Sequence, residues 1–158
     1  MPDQGKKPVK KRISRSLRLD RQFVPAPADD GDEFFPNGIF KFNITKMILF
    51  INSHQADFAA EPVAVTDHAG SLSSLSQAVL DSLHNTDPVI LAEIAPGRYN
   101  LIDGNHRMEK TRRAGLEHIM AYKVRMEQHI RFLTTYEGYS AFVEYWNGKL
   151  KDMRDDGI

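Results

Sequence analysis

The sequence predicts an α/β (α+β) fold, a small mixed sheet flanked by helices, with a helical C-terminal extension. Three observations carry that expectation. Residues 99–124 read as strand, glycine turn, helix and strand, the helix stopping at Gly115 and Ile119–Val124 forming the second strand. Leu72, Leu75, Val79 and Leu83 recur at spacings of three and four, the period of a helix. Phe132, Tyr136, Tyr139, Val143, Trp146 and Leu150 repeat with the same period near the C-terminus.

The elements follow in order. Residues 1–33 are expected to be a disordered basic arm and acidic linker, because 1–22 are poor in aromatics and lack a sustained apolar face. Pro25-Ala26-Pro27 and the acidic run 29–33 then read as linker. Order is expected from Phe34. Phe40, Phe42 and Ile44 alternate with Lys41, Asn43 and Thr45, which predicts a half-buried strand. Met47–Ile51 is apolar on every side and is expected to be buried as strand or short helix. Pro62–Thr66 is a further extended piece and Asp67–Gly70 a turn. Ser71–His84 is predicted as a helix, with Ser74 and Gln77 as a capping box and Pro88 preventing its continuation. Pro88–Ile94 and Tyr99–Asp103 then form a hairpin around Ala95-Pro96-Gly97. The aromatic stripe after Val124 is read as core rather than as a base-stacking surface, with a break expected at Gly138 and fraying from Lys151. This divides the chain into 1–33, a domain over 34–126 and an extension over 127–158.

Composition narrows the chemistry. The 158 residues are 41% hydrophobic and 27% charged, as expected of a globular protein. Net charge is zero but polarised: residues 1–22 carry +6, so the remainder carries −6. The chain has no cysteine, which removes disulfides, thiolate metal sites and cysteine nucleophiles. The longest apolar run, Met47–Ile51, is far too short for a membrane span, and the Lys/Arg-rich opening does not look like a signal peptide. A cytoplasmic protein without membrane insertion is expected. Lys10, Lys11, Arg12 and Arg15 in the arm are candidate DNA-phosphate contacts, against the alternatives of an anionic membrane surface or a solvated tail.

Chemistry gathers at Asp103-Gly104-Asn105-His106-Arg107. A helix start presents amides without intrahelical partners and partial positive charge, and a glycine lets a phosphate approach the backbone. Arg107 adds a planar fork suited to phosphate and His106 a further donor. Asp103 and Glu109 are candidate ligands for Mg²⁺, which takes one or two carboxylates together with substrate phosphates. The competing reading is plainer. Asp103 or Asn105 would be only an N-cap, and Glu109 only a surface partner of Arg113.

The run Leu101-Ile-Asp-Gly-Asn-His-Arg-Met-Glu-Lys110, followed by Arg112-Arg-Ala-Gly-Leu116 and Ile119-Met-Ala-Tyr122, resembles the ParB/sulfiredoxin superfamily. With Pro88–Ile94 as the preceding strand, the resemblance covers about residues 61–126. It implies a ParB/sulfiredoxin-like fold that binds ATP or another nucleotide through Gly104, Asn105, His106, Arg107 and Lys110. Asn105 stands where sulfiredoxins have the cysteine of Gly-Cys-His-Arg, so thiol-dependent sulfinic acid reduction is excluded. Too few residues follow Val124 for the DNA-reading and dimerisation segments of chromosome-partitioning ParB proteins.

The short format, with Phe35-Pro-Asn-Gly-Ile-Phe40 ahead of one core, is similar to plasmid fertility-inhibition factors of the Osa type. That likeness implies a bacterial, cytoplasmic, Mg²⁺-dependent phosphohydrolase with ATPase and DNase activity that suppresses conjugative or T-DNA transfer. Asp103, His106, Arg107 and Glu109 would be its catalytic residues. The alternative function is a non-catalytic nucleotide- or DNA-binding module that docks a partner such as a secretion or conjugation component.

Overall fold

A computed structural model of the chain describes residues 15–68 and 74–156. Two β-sheets, six α-helices and two short 3-10 helices make up the regular structure of the described residues. β1 (Phe34–Asn37) and β2 (Phe40–Asn43) form an antiparallel hairpin. The main sheet has four strands: β3 (Glu61–Ala64), β4 (Val89–Ala95), β5 (Arg98–Asp103) and β6 (His118–Val124). Their spatial order is β3-β6-β4-β5. β3 with β6 and β4 with β5 are antiparallel, while β4 and β6 run parallel. The sheet is therefore mixed, as the sequence predicts.

β4 explains the sheet's central position. All its residues are buried, because it has a strand on each side and helices over both faces. Ile90, Ala92 and Ile94 pack on one face with α1 (Ile44–Ser53) and α6 (Tyr136–Asp155). Val89 and Leu91 pack on the other with Met108 of α4 (Asn105–Arg113). Three short helices complete the fold: α2 (Val65–His68), α3 (Gln77–Asp81) and α5 (Met126–His129).

Several expectations change. The alternation at Phe40 and Phe42 is a strand, but Ile44 already belongs to α1, whose N-cap Asn43 accepts a hydrogen bond from Lys46 N at 3.1 Å. The region around Asp67 is the one-turn helix α2 rather than a turn. The helix expected over 71–84 shortens to α3. Ser76 rather than Ser74 caps it, accepting from Val79 N at 3.2 Å, and residues 71–73 lie outside the described residues. Gly138 breaks nothing: α6 starts at Tyr136 under a Thr135 cap and runs unbroken to Asp155. A methyl group on Gly138 would lie 3.1 Å from Ile39 O, so this glycine permits close packing of α6 on the hairpin. The aromatic stripe is core, with Tyr139, Val143, Trp146 and Leu150 buried.

The expected domain boundaries also move. Tyr139, Phe142 and Trp146 share one core with Phe42, Ile90 and Val124, so 127–156 is integral to the fold rather than an extension of it. Residues 15–33 are not a disordered arm and linker. They form a strap along α6 and onto the hairpin. Trp146 Nε1 donates to Arg15 O at 3.1 Å, and Asn147 bonds both the N–H and the C=O of Leu17, at 2.7 and 2.9 Å. Phe23 stacks on Tyr139 with centroids 3.9 Å apart, and Asn43 Nδ2 donates to Pro27 O at 3.1 Å. Among the described residues no helix is long and apolar enough to cross a membrane.

Candidate functional site

β5 ends at Asp103 and α4 begins at Asn105, so the chain must reverse within one residue, Gly104. Its φ of +101° lies in the left-handed region, which favours glycine. A Cβ there would also lie 2.5 Å from Val89 Cγ1 and 3.0 Å from Arg107 Nη2. Handedness and packing both require glycine here. Gly104 itself is the N-cap of α4, with no side-chain capping bond, and Gly104 O accepts the bond from Met108 N at 2.9 Å. Neither Asp103 nor Asn105 serves as a cap, which removes the plain reading of those two residues.

Asp103 instead holds Arg107. Asp103 Oδ2 accepts from Arg107 Nη2 at 3.1 Å, and the two side chains are 22% and 16% exposed. Arg107 Nε is buried and has no hydrogen-bond partner among the described residues. The guanidinium is thus fixed in direction while keeping unused donors. Asn105 and His106 are exposed on the rim of the same turn.

Two expected members are placed elsewhere. Glu109 is 1% exposed, and its carboxylate is taken by Arg112 Nε at 2.9 Å, Arg112 Nη2 at 2.5 Å and Arg113 Nε at 2.9 Å. The Arg112 hydrogen bonds, followed by those from Arg113, hold its pKa down at about 2. The partnership with Arg113 therefore exists, but buried rather than on the surface, and it extends to the segment just ahead of α3 through Arg113 Nη2 bonding Leu75 O at 2.9 Å. With its carboxylate committed to two guanidinium groups, Glu109 does not fit beside Asp103 as a ligand of a shared Mg²⁺. Among the described residues no group of three or more His, Asp or Glu side chains could hold a metal. Lys110 is committed to the loop after α3, donating to Leu83 O at 2.7 Å.

The structure adds residues that the sequence did not single out. Three clefts meet at Arg107, and all three are also lined by Asn85 from the loop between α3 and β4. One, about 310 Å³, opens over the turn between Asp103, Asn105 and His106. A second, about 390 Å³, runs along α4 towards β6. A third, about 80 Å³, reaches between α1 and β4. Asp87 lines the second and third. In the sequence, residues 85–88 read only as a helix stop; nothing local announces that their loop folds over the arginine.

The candidate DNA contacts lie at the far end of the chain. Lys10, Lys11 and Arg12 fall outside the described residues, while Arg15 is exposed at the start of the strap. Compared with protein-family models, curated proteins and solved structures, the chain matches none.

Proposed function

We propose that this protein is a nucleotide-binding phosphohydrolase that seats phosphate groups over the 103–107 turn. The observation that carries the reading is the Asp103–Arg107 pair: a guanidinium braced beside a glycine-led helix start, at the junction of three clefts. Arg107 would neutralise a phosphoryl oxygen as charge develops on it. Backbone amides at Asn105 and His106, near the positive end of α4, would donate to the remaining oxygens. His106, exposed at the rim, would move a proton at the leaving oxygen or at the attacking water. Asp103 would act by positioning Arg107.

ATP is the first substrate to try and a DNA phosphodiester the second. The resemblance to fertility-inhibition factors adds a setting in which such an activity would suppress conjugative or T-DNA transfer. A second reading is favoured by Glu109: a carboxylate expected for turnover is locked into the scaffold. On that reading the protein binds a nucleotide or DNA without hydrolysis and docks a secretion or conjugation component.

Steady-state phosphate release from ATP, set beside nicking of supercoiled plasmid, separates the two. Turnover that disappears in both Arg107→Ala and His106→Ala supports the enzyme. Binding without turnover supports the module.

A further inference from the structure

We propose that the groove along α4 holds the base and sugar of the ligand, so that the site selects a nucleoside phosphate over a bare polyphosphate. This rests on the phosphate-binding reading above.

The groove has the dimensions of a ligand site. At about 390 Å³ it falls within the range of small-molecule pockets, roughly 300–1,000 Å³. Its helical wall is one face of α4, where Arg107, Lys110, Thr111 and Ala114 stand at spacings of three and four. From Arg107 to Ala114 this wall is about 10 Å long. Arg107 lines the groove and the turn alike, so a ligand anchored there by phosphate can extend into the groove without a break.

The other walls supply what a nucleobase needs. Leu116 and Met120 are 59% and 45% exposed, two large apolar side chains left in water in the same groove. A flat heteroaromatic ring would cover both, and a thioether makes favourable contacts with such rings. In the same lining, Asn85 and Asp87 offer amide and carboxylate groups to ring nitrogens, an amino group or sugar hydroxyls. Their loop is anchored, because Lys110 Nζ bonds Leu83 O at 2.7 Å and Asn85 Oδ1 accepts from Asp87 N at 2.9 Å.

Isothermal titration of the full chain with ATP and with sodium tripolyphosphate tests this. The expected result is ATP binding roughly tenfold or more tightly than tripolyphosphate, the scale of one stacked base. In Leu116→Ser/Met120→Ser, ATP should weaken to the tripolyphosphate level while tripolyphosphate binding is unchanged. Both side chains are exposed, and melting curves verify that the variant is folded. Equal affinities in the wild type would overturn the inference and leave the phosphate site standing. Unaltered ATP affinity in the folded double variant would overturn it too. Binding of neither ligand would overturn the inference together with the reading beneath it.

Discussion

Asp103 and Arg107 brace each other across the first turn of α4, and the donors left on the guanidinium decide what the turn can hold. Arg107→Ala should cost about 1.5–3 kcal/mol of nucleotide affinity, the value of a charge-assisted hydrogen bond. Titration with ATP reads this loss, and circular dichroism should show an intact fold. Unchanged affinity would take phosphate away from the turn. Gly104 is a matter of stability. An alanine there must hold φ near +101° and displace Val89, a strain of about 1–3 kcal/mol that denaturant unfolding would register. Glu109 is expected to behave oppositely to a catalytic residue. Glu109→Ala removes the buried acceptor that Arg112 and Arg113 share, loosens Arg113's hold on the segment ahead of α3 and should lower the melting temperature clearly. A surface ion pair would scarcely move it. Because the folded pKa is depressed to about 2, this contribution is present above the ordinary carboxylate value and is lost as pH falls towards 2.

At the scale of elements, the joint between β4 and α5 is a pH-sensitive seam. His129 is fully buried between Phe42 and Phe142, and its Nε2–H donates to Glu93 O at 2.6 Å. Nδ1 has no hydrogen-bond partner among the described residues, so protonation would place a new donor in an apolar wall. Burial pushes the pKa down to about 4, opposed by Glu93 and Glu127. The Glu93 carboxylate is itself occupied, accepting from Gly97 N at 2.9 Å and Met126 N at 3.1 Å. The unfolded chain thus takes up the proton first. Stability should be complete above about pH 6.5 and decline towards pH 4 by on the order of 3 kcal/mol. Urea unfolding of wild type and His129→Phe at pH 7 and pH 5 checks this, and equal declines would remove His129 as the cause. Legibility in the sequence follows the same scale. The β4–β5 hairpin and β6 were readable because the Pro96-Gly97 turn and a change of period mark their ends. The 103–107 turn was readable because chemistry and glycine coincide there. Asn85 and Asp87 were not, because a loop's distant neighbours leave no local pattern. Glu109 misled because a motif carboxylate looks the same whether it faces a ligand or two arginines.

For the molecule as a whole, the strap revises what the basic arm is. Arg15, Arg18 and Arg21 belong to a segment fastened to α6, whereas Lys10, Lys11 and Arg12 precede the first described anchor. Removing residues 1–27 should lower the melting temperature further than removing 1–14 does, because only the longer deletion takes the described anchors on α6. If the arm meets duplex DNA, the shorter deletion should also reduce the salt-dependence slope by roughly 0.9 for each phosphate that the arm no longer neutralises. A full-length slope would move DNA onto the folded body. The strap escaped the sequence reading because its anchors are largely backbone atoms: Arg15 O, Leu17 N and Leu17 O would be the same under almost any side chain. Those anchors also set an order of events during synthesis. Leu17 leaves the ribosome long before Asn147, and its N–H and C=O have no docking partner until α6 has been made. The first described segment is therefore among the last to settle, and trypsin should cut after Arg18 and Arg21 faster in a nascent chain stalled at residue 135, where the segment is unanchored, than in the finished protein.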